Sequence, residues 1–552
     1  MKNTIKYTFL SALFLGFTAC DVDNTLTEIK SEAENSVALQ AGSADFSNYV
    51  SIGASFTAGF TDGALFKAGQ QYSFPNTLAS KFALVGGGEF VQPLMNDNIG
   101  GLVLGGNIIQ EPRFYFNGSG PARLDETPTT NAATSIATAT GFNNIGLPGA
   151  KSFHLTFAGY GMLNPYFGRM TTNPAAATVI GDAVAKAPTF FTLSEIGGND
   201  VLGYAVSGGT GVNQSPTDTN PTGNLDPSTY GANDITNPLV FNNVFNGIIS
   251  ALEATGAKGV VANLPYITSL PHFTTVPYAP LDPSNAEFGA QIPLLNTVYG
   301  AINQIYVGAG EPERAIVFSE TGASPVVVED EKATDLTNAI TTNLSASPTF
   351  VPFVESLGLP AAAAPLVAQL LGKQYGKARS ATENDLLVLP SSAVIGKVNN
   401  AAAADLIAQS GGLLPATLAG QFSAEGVTLP LEDKWVLTPE EQVEIKTATD
   451  AYNETIKTVA EAKGYAFVDF NAILQEASTS GLEFGRYNMN TSLITGGLIG
   501  LDGIHLTSRG YALMANKMLG AIDVTYGSNF TEGKNGLAKP DDYPTNYSPT
   551  LQ

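Results

Sequence analysis

Histidine is scarce in this chain, with three among 552 residues. One of them, His505, follows Asp502 by three residues and stands just ahead of a helical pattern from Thr507 to Leu519. An aspartate so placed can accept from imidazole Nδ1–H, fix the tautomer and leave Nε2 free as a base. A base needs a nucleophile. Ser55, in Gly53-Ala54-Ser55-Phe56, follows a short β-prone run from Phe46 to Ile52. A serine at a strand-to-helix turn presents its hydroxyl at the carboxyl edge of a sheet, where open α/β folds bind ligands. The helix expected after it would offer free N–H groups and a positive dipole end.

Two further segments could stabilise developing negative charge. Asn199, in Gly197-Gly198-Asn199-Asp200, ends a strand-like stretch, and its side-chain N–H₂ can donate to an oxyanion. In Asn144-Ile145-Gly146-Leu147-Pro148-Gly149-Ala150, a loop glycine lets a backbone N–H approach a ligand closely. Gly146 and Gly149 are both open to this role. Taken singly, each segment has an ordinary reading as a turn or a helix cap.

The elements that must position these residues are legible in outline. Strand-like stretches lie at 46–52, 188–194, 259–265 and 465–469. Helical spacing covers 74–85 and 246–254. The clearest helix starts at Thr438 as N-cap, with Pro439 at N1 and Glu441 completing a capping box, and stops at Gly464. Alternating strands and helices predict a mostly parallel sheet covered on both faces. The segment 201–240 reads as a long loop. The segment 310–437, with Ala-rich helical pieces and a strand-like 385–389, reads as a mainly helical insertion.

Together the four blocks resemble those of the SGNH, or GDSL-like, hydrolase superfamily, in the family's order and in the same strand-then-turn contexts. The resemblance frames 46–525 and leaves the insertion unexplained. It implies a three-layer α/β/α fold with a flavodoxin-like sheet. It implies Ser55 as nucleophile, His505 as base and then acid, and Asp502 as the residue orienting His505. The oxyanion hole would comprise the Ser55 and Gly149 N–H groups and the Asn199 side chain. The first block departs from the family: Gly-Ala-Ser-Phe stands where Gly-Asp-Ser-Leu is usual. Ala54 removes a loop-bracing acceptor, and Phe56 alters the rim of the site.

Composition sets limits on partners. Lys and Arg number 26 against 49 Asp and Glu, a net charge of −23. Such a surface repels nucleic acid. A single Cys excludes an internal disulfide framework and a thiolate zinc site. His154 and His272 lack metal-ligand spacing, and no P-loop or dinucleotide fingerprint is present. No metal and no organic cofactor is expected.

Residues 1–19 have the anatomy of a secretory signal peptide: Lys2 and Lys6, then an apolar run from Phe9 to Phe17. Phe17-Thr18-Ala19-Cys20 resembles a bacterial lipobox, which implies cleavage before Cys20 and its lipidation. Residues 20–45 read as a flexible tether, and 526–552 as a C-terminal tail. Asp21-Val22-Asp23 resembles the export signal of surface lipoproteins. These segments predict a protein held to the membrane by a lipid anchor, in the cell envelope at the outer membrane, with display on the cell surface as one outcome. The functional expectation is an ester hydrolase acting on an acyl lipid, a short-chain ester or an acetylated glycan. The competing expectation is a non-catalytic surface lipoprotein that keeps the fold as a binding module.

Overall fold

The computed structural model describes residues 37–551, so the signal peptide, Cys20 and most of the tether lie outside the described residues. Five strands form the central sheet: β1 (Tyr49–Gly53), β2 (Asn144–Gly146), β3 (Phe190–Leu193), β4 (Lys258–Ala262) and β5 (Ala466–Val468). All neighbouring pairs are parallel, in the order β5-β4-β3-β1-β2. Every residue of β1 and β3 is buried. That is the pattern of strands covered on both faces, and it explains why their sequences run apolar instead of alternating.

The helices beside this sheet are α1 (Ser55–Ala58), α2 (Phe74–Phe82), α3 (Asn199–Val206), α4 (Pro238–Glu253), α8 (Pro439–Lys463), α9 (Phe470–Thr479) and α10 (Ser508–Tyr526), whereas α5 (Ile292–Ala309), α6 (Thr337–Ala346) and α7 (Ala364–Tyr375) belong to the inserted region. Successive strand residues point to opposite faces. Tyr49, Phe190, Val260 and Val468 pack with Phe74 and Leu78 of α2 and with Met514 and Met518 of α10. Val50, Ile52, Phe191 and Val261 pack on the other side with Phe241 and Ile248 of α4 and Ile445 and Tyr452 of α8. The result is an α/β fold with a helical layer on each face.

Local chemistry sets the helix ends. Thr438 and Glu441 form the expected capping box, Pro439 occupies the first turn, and Gly464 stops α8 with φ +67°. Asn237 caps α4 and Thr507 caps α10.

Several sequence expectations need correction. Asn144–Gly146 is a strand at the sheet edge, where a loop was expected. Its three residues are too few to carry a period, and its pairing with β1 decides its state. The long loop expected from 201 begins inside α3, which runs to Val206. The inserted region has its own core, and that core begins earlier than 310. It runs from Val276 through Tyr299, Tyr306 and Tyr375 to Val436, and α5 is part of it. Residues 37–45 and 526–551 are not loose. Ser43 N–H donates to the Tyr526 carbonyl, Ala44 is buried, and Tyr547 is buried beside Phe66 and Arg113. The fully buried Arg113 guanidinium donates to the Asn98 and Ser548 carbonyls, which holds the tail down.

Candidate active site

β1 ends at Gly53, and the chain turns at once into α1. Gly53 has no alternative there: a Cβ would lie 2.1 Å from Thr57 Oγ1 and 2.7 Å from Glu195 Oε1. The helix expected after Ser55 is a single turn, stopped by Gly59 at φ +82°. It therefore lacks the length that a helix dipole needs. What it does provide is placement. Ser55 stands at the carboxyl edge of β1, next to β3, where the strand order reverses direction. Ligand crevices in open α/β sheets form at such switch points.

His505 reaches Ser55 across 450 residues of sequence, with His505 Nε2 2.9 Å from Ser55 Oγ. Its Nδ1 lies 2.8 Å from Asp502 Oδ2. The same oxygen accepts from Gly63 N–H at 2.8 Å, while Oδ1 accepts from the N–H groups of Ile504 and His505, both at 2.9 Å. Burial pushes the Asp502 carboxyl up, but His505 and these backbone donors outweigh it and hold the group down at about 2. Asp502 is thus a fully bonded carboxylate at neutral pH. Two rings fix the imidazole plane: Phe60 at 4.5 Å and Phe56 at 5.4 Å between centroids. Phe56 packs on the base as well as altering the rim.

Two of the residues expected to donate to an oxyanion, Gly149 and Asn199, lie on a loop and a helix start that are joined to each other. Asn199 begins α3, lines the same cavity as Ser55, and its Nδ2 donates to the Ala150 carbonyl at 2.9 Å. One amide hydrogen is thereby used and the second is left over. Gly149 is exposed at φ +77°, and no described residue accepts from its N–H or from that of Ser55. Gly146 does different work. A Cβ there would lie 2.1 Å from Ala58 N, and its N–H is already bonded to Asn144 Oδ1. Gly146 lets α1 approach β2, and Gly149 is the glycine with a free donor. Asp200 accepts from Ser152 N–H at 2.8 Å and Ser152 Oγ at 2.6 Å, which clamps the 149–152 loop to the start of α3.

Two positioning residues escape sequence reasoning. Glu195, two residues beyond β3, is half-buried, and its Oε1 accepts from Ala54 N–H at 2.6 Å and Thr57 N–H at 2.8 Å. It braces the Ser55 turn from the neighbouring strand, the task for which Ala54 has no side chain. Burial raises its carboxyl to about 7 against those hydrogen bonds. Glu195 also holds φ at +49°, a strained value for a residue with a Cβ. Asp62, at φ +52°, is the second. Its Oδ1 accepts from Leu501 N–H at 2.8 Å, tying the loop that bears Asp502 to the turn after α1. The Asp62-Gly63 pair is a turn signal readable in sequence. For Glu195 no sequence signal exists beyond its place beside the Gly-Gly-Asn-Asp block.

The remaining histidines stand apart from the reaction path. His154 Nδ1 accepts from Lys151 N–H at 3.0 Å, and its ring stacks on Tyr160. Burial, then Lys151, lowers it to about 4. His272 is buried against the Asp502–Gly503 backbone, where its N–H donates to the Gly503 carbonyl at 3.0 Å. The inserted region reaches the same turn: a Cβ at Gly503 would lie 3.2 Å from Leu389 Cδ2.

Among the described residues, no single helix is long and apolar enough to cross a membrane. No family model matches the chain, and neither the curated proteins nor the solved structures contain a match to it.

Proposed function

We propose that the protein is a serine ester hydrolase of the SGNH, or GDSL-like, type, held in the cell envelope by a lipid on Cys20. The observation that carries this reading is the continuous chain from Asp502 through His505 to Ser55, at 2.8 and 2.9 Å. The 2-1-3-4-5 order of the sheet, with Ser55 and Asn199 on the two sides of its switch point, supports it.

In this mechanism His505 Nε2 takes the Ser55 proton as Oγ attacks the ester carbonyl. Asp502 stays ionised and stabilises the imidazolium. The oxyanion meets the Ser55 and Gly149 N–H groups and the spare Asn199 hydrogen. His505 then gives its proton to the leaving alcohol. Water, activated by the same imidazole, releases the acyl group from Ser55. No step calls on a metal or an organic cofactor.

The test is hydrolysis of p-nitrophenyl acetate, butyrate and octanoate by protein beginning after Cys20, with Ser55→Ala beside it. Turnover that disappears in Ser55→Ala, together with a fluorophosphonate adduct on Ser55, is the expected result. Folded protein with neither turnover nor adduct would replace this reading with the non-catalytic binding lipoprotein.

A further inference from the structure

A cavity opens beside Ser55 and Asn199 and runs under the helical layer, enclosing about 1050 Å³ when its open mouth is counted. Its walls are mostly apolar, with Glu195, Asn263 and Lys517 among the few polar side chains that line it. One wall is a stripe of α10: Gly510, Leu513, Met514 and Lys517 lie at i, i+3, i+4 and i+7, on one helix face. Ile473 and Leu474 of α9 line the cavity as well. At the mouth, Ile504 and Leu506 flank the base on either side in sequence.

The stripe sets a length. From Gly510 to Lys517 the helix rises about 10 Å, at ~1.5 Å per residue. An extended chain advances ~1.2 Å per bond, the value implied by three bonds per ~3.3–3.6 Å of extended polypeptide. The wall therefore matches about eight bonds. A glycan acetyl group would leave nearly all of this apolar space unfilled, and a sugar would find few polar partners along it.

We infer that this cavity is an acyl-chain site and that the substrates are esters of single medium-length fatty acids, of about eight to ten carbons. The inference rests on the reading of Ser55 as the nucleophile, and it adds the class of acyl group that Ser55 receives. The chain enters past Ser55 with its carbonyl at the Asn199 side and lies along α10. Each methylene buried is worth about 0.8 kcal/mol, or roughly fourfold in kcat/KM, until the wall ends.

Two measurements separate this inference from the hydrolase reading. The first is kcat/KM across p-nitrophenyl esters from acetate to palmitate, for the wild type, Leu513→Trp and Ile473→Trp. Ile473 is half-buried at the wall, so its replacement tests the same space with less risk to the core. A rise of at least 100-fold from acetate to octanoate is expected, followed by a plateau or fall. Either Trp variant should lower the ratio of octanoate to acetate kcat/KM at least tenfold. The second is calorimetric binding of decanoate to Ser55→Ala, which should be saturable and carry a negative heat-capacity change. Acetate turnover with a flat chain-length profile and no decanoate binding would overturn the acyl-chain site and leave the hydrolase standing. Decanoate binding without turnover or fluorophosphonate adduct in the wild type would do the reverse.

Discussion

Asp502 and Asp433 are the same residue in opposite surroundings. Asp502 presents its oxygens to His505 Nδ1 and three backbone N–H groups, and it is held down at about 2. Asp433 lies where the inserted region hands the chain back to α8. Its neighbours there are other carboxylates: a ligand oxygen from each of Glu331, Asp433 and Glu441 falls within 4.8 Å of the others. Burial, then Glu331 and Glu329, pushes Asp433 up to about 7. Glu441 rises to about 8 through burial, against the hydrogen bonds from Thr438, with Glu331 and Asp433 adding to the rise. Buried Asp433 Oδ1 has no partner among the described residues. Burial penalises both groups. The donors aimed at Asp502 reverse that penalty, and the acidic neighbours of Asp433 deepen it.

The sharpest way to break this contrast is Asp502→Asn, which keeps the shape and removes the charge. Ester turnover should fall by about 10³–10⁴, read as kcat on the preferred p-nitrophenyl ester, with the fold retained by circular dichroism. Glu195→Ala should come next, at about 10² in kcat, because it releases the Ala54 and Thr57 N–H groups and lets the Ser55 turn shift. Glu195→Gln keeps an accepting oxygen and should restore most of the rate.

Stability against pH tests the two carboxylate settings directly. The folded pKa of Asp502 lies below its ordinary value of 3.8. Its contribution is therefore present above about pH 4 and is lost as pH falls towards 2. That loss should be about 2 kcal/mol in denaturant titrations, and Asp502→Asn should not show it. For Glu441 and Asp433 the sign reverses. Their folded values lie above the ordinary ones, so their contribution is complete below about pH 4 and is lost as pH rises through about 7 and 8. Glu441→Gln should flatten this decline and raise Tm at pH 8 by about 2–4 °C, with no change at pH 5 and none in turnover.

The residues proposed to do chemistry are more legible in the sequence than the residues that hold them. Ser55, Asn199, Asp502 and His505 announced themselves because scarce or special types stood in turn contexts. Strands β1, β3, β4 and β5 were readable as short apolar runs. β2 was not, since Asn-Ile-Gly carries no pattern of its own and becomes a strand by pairing with β1. The start of the second core at Val276 was hidden because an apolar helix such as α5 reads the same whichever core it fills. Glu195 was missed because capping a turn on the adjacent strand is a relation between distant segments, here 138 to 141 positions apart. Local spacing carries no trace of such a relation.

The separation of Ser55 from His505 also bears on when the site can come into being. Ser55 is synthesised early, and His505, its proposed base, follows 450 residues later. The loop that carries the base is fixed by Asp62 and Gly63 from the early end of the chain. A growing chain that lacks Asp502 and His505 can form neither hydrogen bond of the Asp502–His505–Ser55 array. Assembly waits for the slowest class of contact, the pairing most distant in sequence. A serine whose proposed base lies near the far end of the chain has no activating partner until that end is in place.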